Sequence, residues 1–183
     1  MRSSAVLCIA CVAVFSQLPA NADEPSVERG LYVSIVGGCH DCHTEGYGES
    51  GGVIDPQKAL KGSVVGRQGP WGTSYPGNLR RVVERLSEDG FILMAKNTEF
   101  IPPMPWYNLR KLTEDDLRSL YRYVRSLGEP GDLTPTFVPP GNRVNTPFIV
   151  LAPPQMPPAC TRDLDCGIGE ICGTEEPRRC VTR

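Results

Sequence analysis

One pentapeptide, Cys39-His40-Asp41-Cys42-His43, limits what this chain can become more than any other stretch of it. Two cysteines spaced C-x-x-C and followed at once by histidine form the pattern of covalent haem attachment. Each thiol can add across one vinyl group of the porphyrin, and two intervening residues let one turn of backbone present both sulfurs to the same edge. His43 then lies where its imidazole can bind iron. A bare C-x-x-C also suits thioredoxin-like redox chemistry or half of a zinc site, and the adjoining histidine is what favours haem. Axial-ligand identity is one of a protein's main levers on haem chemistry.

The opposite face of the iron needs a second ligand. The chain has two histidines, and His40 shares the loop of His43, so it cannot reach across the same ring. Methionine is the remaining ligand type. In Ile101-Pro102-Pro103-Met104-Pro105-Trp106 three prolines forbid a regular helix and hold one thioether on stiff backbone. Met94 should face a helix core and Met156 lies in a proline-rich stretch, so Met104 is the candidate. The plain alternative is a methionine filling a core gap. The expected haem-binding set is therefore Cys39, Cys42, His43 and Met104, with His43 and Met104 on the metal and no catalytic residue. A His/Met pair saturates iron, limits the group to moving one electron, and raises its potential. No second C-x-x-C-H occurs, so a single covalent haem c is expected. The alternative is a haem enzyme or gas-binding protein with an open sixth position. That requires Met104 off the iron, and no distal His or Arg constellation is readable.

Residues 1–22 read as a secretory leader: Arg2, an apolar run from Ala5 to Leu18, and the small-x-small site Ala20-Asn21-Ala22. The run is shorter than the ~20 residues a spanning helix needs, so no membrane span is expected after its removal. Cys8 and Cys11 lie inside this leader and should leave with it; a lipidated Cys11 is the weaker alternative, because it falls early in the run. Six cysteines then remain, two for haem and four for the tail. Export to the bacterial periplasm follows as the expectation, since covalent haem attachment occurs on the far side of the membrane. A formal net charge of −2 shows no nucleic-acid or membrane-surface footprint.

The rest of the chain divides by pattern. Residues 25–37 predict a first helix, with Val27, Leu31 and Ile35 as its core stripe. Residues 44–78 have no helical period and many glycines; such a segment can wrap a flat cofactor. There Trp71, Tyr75 and Asn78 are either contacts at the haem edge or ordinary packed side chains. Ser87 predicts an N-cap for a helix over 88–96, with Leu86 and Phe91 as a hydrophobic staple. Thr113 caps a last helix over 114–127, whose stripe is Leu117, Leu120, Val124 and Leu127 and whose C′ residue is Gly128. Arg118, Arg122 and Arg125 read as its solvated face, a partner-docking patch being the sharper alternative. Residues 129–159 are a Pro-rich semi-rigid linker or chain wrapped over the surface. Residues 160–183 carry Cys160, Cys166, Cys172 and Cys180, a small disulfide module in an exported protein. Four cysteines allow three pairings; Cys160–Cys172 with Cys166–Cys180 is the preferred one, and the others stay open. Such a tail could deliver the chain to a partner or simply seal its C-terminus.

Over about residues 25–128 (within a domain drawn as 23–128) the chain resembles class I, monohaem, cytochromes c. The resemblance rests on the helix leading into Cys39-His40-Asp41-Cys42-His43, the Pro-flanked Met104, and the capped last helix with Leu120 and Tyr123. The run Gly69-Pro70-Trp71-Gly72-Thr73-Ser74-Tyr75-Pro76-Gly77-Asn78-Leu79 is similar to a loop of cytochrome subunits that accompany periplasmic dehydrogenases. The resemblance implies an all-α, cytochrome c-like fold of three to four short helices around one haem, with long Gly/Pro-rich loops and a small disulfide-stapled tail. It implies thioethers from Cys39 and Cys42, His43 proximal, Met104 distal, and Gly30 letting Tyr123 pack close. It also implies redox partners: a dehydrogenase as donor and a cytochrome or oxidase as acceptor. The proline-rich segment and the cysteine tail depart from the minimal pattern.

Overall fold

The computed structural model describes residues 24–153, 156, 159–175 and 177–183. The leader expected over 1–22 lies outside the described residues. Helix α1, Val27–Val36, starts at Ser26, whose hydroxyl accepts from the Arg29 amide, and ends at Gly37. The five-residue helix α2, Cys39–His43, follows after Gly38, which turns the chain at φ 68°. The hairpin strands β1, Gly66–Gly69, and β2, Gly72–Ser74, come next. Helix α3, Leu79–Arg85, is capped by Asn78. Helix α4, Glu88–Asn97, is capped by Ser87. A single turn, α5, covers Trp106–Leu109, and α6, Glu114–Ser126, is capped by Thr113. Strand β3, Phe148–Val150, and the tail strands β4, Glu170–Cys172, and β5, Cys180–Thr182, complete the order.

The all-α expectation is corrected by these strands. Antiparallel β1 and β2 pair from Arg67↔Ser74 to Gly69↔Gly72, and β3 joins the other edge of β1 in parallel, from Gly66↔Phe148 to Gln68↔Val150. The tail forms a second sheet of β4 and β5. The reason is backbone satisfaction. A glycine-rich stretch without helical period still carries an N–H and C=O at nearly every residue, and those must be paired when covered. Gly72, at φ 106°, tightens the hairpin turn, and the extended proline-rich chain returns to bond its edge.

The core lies among α1, α3, α4 and α6: Val33, Leu60, Val83, Phe91, Ala95, Leu117, Leu120, Tyr123 and Val124. The closest crossing is α1 on α6. A Cβ on Gly30 would overlap the Ser119 carbonyl and lie 2.6 Å from Tyr123 Cβ. That approach turns the Gly30, Val33 and Ser34 face of α1 inward, so the stripe Val27, Leu31, Ile35 read from spacing is rotated from the buried one. Val27, Ile35 and Val36 stay exposed. The α6 stripe is buried at Leu117, Leu120 and Val124, with Leu127 partly buried against the same core.

The arginines of α6 do not form a free basic face. Arg118 pairs with Glu88 (3.1 Å) and Asp89 (2.9 Å), and Arg122 with Glu88 (3.4 Å). Arg122 also donates to the Pro25 carbonyl at 2.5 Å, and Arg125 to that of Val83 at 3.4 Å. Arg80, buried, donates only to carbonyls: Ala59, Pro56, Leu127 and Glu129.

Gly30→Ala should destabilise the protein by about 1–3 kcal/mol, the usual cost of overpacking a tight crossing, in denaturant melts followed by circular dichroism. Arg29 holds the Asp116 carboxyl below the usual carboxylate range through a 2.8 Å hydrogen bond. This depressed group adds stability above its unfolded value and loses it as pH falls through the folded one. Asp116→Asn should therefore cost at most about 1 kcal/mol at pH 7 and nothing in acid, in the same melts.

Candidate haem site

The turn α2 carries Cys39, Cys42 and His43 together. Both thiols are free, whereas the four tail cysteines are joined as Cys160–Cys172 and Cys166–Cys180. Three of those tail sulfurs lie within 4.8 Å of one another, but as disulfides they have no thiolate to offer a metal. Burial pushes the Cys39 thiol up to about 11, with Asp41 and Cys42 adding to the rise. Thioredoxin-like cysteines act as thiolates with lowered pKa, so this environment disfavours that use of the pair.

His43 is oriented by its own fold. Its Nδ1 lies 2.7 Å from the Gly77 carbonyl oxygen. A carbonyl only accepts, so Nδ1 carries the proton and Nε2 keeps a lone pair. Burial also lowers the imidazole pKa, the Gly77 bond opposing it. A neutral imidazole whose second nitrogen is fixed to a carbonyl is the arrangement of metal-ligating histidines.

His40 sits three residues earlier and is fully buried. Its Nε2 lies 3.1 Å from Ser34 Oγ, and its Nδ1 lies 2.7 Å from Thr44 Oγ1. Both nitrogens are thus committed within the protein, on the side of α1 and of the Tyr47 and Tyr123 rings.

Met104 is half-buried in the proline turn. Its N–H donates to Ile101 at 3.3 Å and its carbonyl accepts from Trp106 at 2.9 Å. The segment is anchored where Lys96 Nζ of α4 donates to the carbonyls of Arg110 and Leu112. Arg110 lies over the Trp106 ring, 4.6 Å from its centre, and its Nε is buried without an acceptor. Met94 packs partly buried against the core, and Met156 is exposed.

Trp71, Tyr75 and Asn78 of the glycine-rich stretch all find protein partners. Trp71 Nε1 donates to the Arg67 carbonyl at 3.3 Å, and the Tyr75 hydroxyl bonds Thr146 at 2.6 Å. Asn78 caps α3 and donates to the carbonyls of Pro130 (2.7 Å) and Asp132 (3.0 Å). The packed reading of these residues accounts for every one of those bonds.

The donors present fit a haem held by thioethers. Two free thiols stand one helical turn apart, beside an imidazole with an uncommitted Nε2. Apolar side chains stand exposed in the flanking segments: Ile35 and Val36 before the turn, Leu93 and Ile101 before Met104. The orphaned Arg110 donor, in the Met104 segment, suits an anionic cofactor edge. The two thiols and the imidazole expected from the C-x-x-C-H spacing lie together on α2. The roles of Gly77, Ser34, Thr44 and Leu60 were not legible beforehand, for a backbone carbonyl or a lone hydroxyl has no sequence signature.

One comparison with known proteins found a relative whose name is that of a cytochrome subunit. The chain is similar to the fructose dehydrogenase cytochrome subunit of Gluconobacter japonicus, 29% identical over 124 residues, which cover 62% of this chain. The chain matches only 24% of that relative's length. No protein-family model and no solved structure matches the chain. Among the described residues no helix is long and apolar enough to cross a membrane.

Burial pushes the His40 imidazole down to about 4, with Asp41 opposing and His43 adding to the fall. Its unfolded value is near 6.5. The folded state therefore prefers the neutral ring, and that stability is complete above about 6.5 and declines as pH falls toward about 4. Denaturant midpoints taken between pH 7 and pH 5 should fall, and His40→Gln should flatten that slope.

Proposed function

We propose that this chain is a single-haem, c-type electron carrier that serves as a cytochrome subunit for a dehydrogenase in the bacterial periplasm. Cys39 and Cys42 would hold the porphyrin, and His43 Nε2 and the Met104 thioether would bind its iron. The observation that carries this reading is the 2.7 Å bond from His43 Nδ1–H to the Gly77 carbonyl, which leaves the lone pair on Nε2 in a turn that also carries two free thiols. When bound, the haem supplies one-electron exchange between ferrous and ferric iron. The protein's share is to fix the ligands and to shield the group.

The residues divide that work. Burial keeps His43 neutral, as ligation requires. Prolines 102, 103 and 105 stiffen the Met104 turn, and the Lys96 anchor fastens its C-terminal side. With both His43 and Met104 bound to it, the iron would be limited to electron transfer, so donor and acceptor would be proteins: a dehydrogenase, and a cytochrome or oxidase. The similarity to a dehydrogenase cytochrome subunit supports that partner class. Residues 1–22 as leader, 23–128 as haem domain, 129–159 as connecting chain and 160–183 as stapled module remain the proposed division.

Met104→Ala should keep the covalent haem, lower the midpoint potential, and let the reduced protein bind carbon monoxide, which the unaltered protein should not. Potentiometry and carbon monoxide difference spectra check this. Rapid carbon monoxide binding by the unaltered protein would instead favour the open-site enzyme.

A further inference from the structure

The least comfortable backbone in the core belongs to Leu60. It is the one non-glycine with positive φ, 56°, among the described residues, and its side chain is fully buried. An L-residue there costs about 1–2 kcal/mol. Such strain persists only where surrounding contacts over-determine it. Both backbone groups of Leu60 are taken. Its N–H donates to Thr44 Oγ1 at 2.9 Å, and its carbonyl accepts from the Leu79 N–H at 2.9 Å.

The Thr44 hydroxyl is in turn assigned by His40. Ser34 Oγ donates to the Leu31 carbonyl at 2.7 Å, so toward His40 it accepts, and the His40 proton is on Nε2. Nδ1 of the neutral ring then accepts the Thr44 O–H. The bonds run one way, from Leu60 N–H to Thr44, from Thr44 O–H to His40, and from His40 Nε2–H through Ser34 to α1. Gly62 N–H closes the same loop onto the His43 carbonyl at 2.8 Å, and Ser63 N–H onto Pro76 at 3.2 Å. The segment 76–79 held in this way contains Gly77, the acceptor for His43 Nδ1.

We propose that His40 and Thr44 are positioning residues that hold the strained Leu60 loop and, through it, the Gly77 carbonyl that orients His43. This rests on His43 being the iron ligand. The relay makes the His43 hydrogen bond a property of buried side chains outside the attachment thiols. A firmly held carbonyl raises the basicity of the imidazole and so stabilises ferric iron; loosening it raises the potential.

The test uses the full chain matured with haem. Thr44→Val removes both the acceptor for Leu60 and the donor to His40, and Thr44→Ser restores them. His40→Gln keeps a donor toward Ser34 and loses the acceptor toward Thr44, whereas His40→Asn keeps that acceptor. Three quantities are read: covalent haem on denaturing gels, midpoint potential, and amide exchange at Leu60 and Leu79. Thr44→Val and His40→Gln should retain the haem, shift the potential upward, and exchange both amides at least tenfold faster. Thr44→Ser and His40→Asn should match the unaltered potential. Loss of stability in all four variants with no change of potential would overturn the relay. Should the unaltered protein carry no covalent haem, the proposed function falls. The relay then stands or falls on the two amides alone, and unchanged exchange in Thr44→Val and His40→Gln refutes it.

Discussion

The hydrogen bond between His43 and the Gly77 carbonyl joins the two halves of this structure. On one side stands the helical frame, with α2 projecting from the end of α1. On the other stands the glycine-rich chain that becomes the β1–β2 hairpin and then α3. A single 2.7 Å contact spans 34 residues and decides which imidazole nitrogen is left for a metal. It holds its geometry because both ends are fastened elsewhere. α1 is locked on α6 by a crossing too tight for any side chain at Gly30, and the 76–79 segment is tied to 60–63 by backbone bonds.

That arrangement explains why so few of the described polar groups are left idle. Asn78, Arg80 and Thr44 serve carbonyls, amides and helix ends of neighbouring segments rather than solvent. A chain with long irregular stretches must pair those backbone groups or leave them in water, and here side chains and short strands do the pairing. The β3 strand is part of the same economy. It lies on the free edge of β1, so the proline-rich chain is attached to the hairpin along at least three residues.

Helix boundaries were legible because capping chemistry is local. Ser87 and Thr113 each accept an amide three residues on, and a short polar residue before an acidic first turn signals that. The C-x-x-C-H turn was legible for the same reason. What escaped is what depends on distant partners. The buried face of α1 is set by Gly30 meeting Ser119, not by the spacing of Val27, Leu31 and Ile35. The strands, which overturn an all-α reading, are three or four residues long, too short to show alternation. The helix capped by Asn78 was overlooked because that residue was weighed as a cofactor contact. Arg80 and His40 are buried because carbonyls and hydroxyls from other segments receive them, which no single-chain pattern announces.

The proposed function requires a porphyrin joined to Cys39 and Cys42. The most direct measurement is the alkaline pyridine haemochrome spectrum of the chain produced in cells competent for cytochrome maturation. Two thioether bonds predict the α-band of haem c, retained after acid-acetone extraction and lost when both cysteines are changed to serine. A colourless protein, or pigment that the solvent extracts, would contradict it.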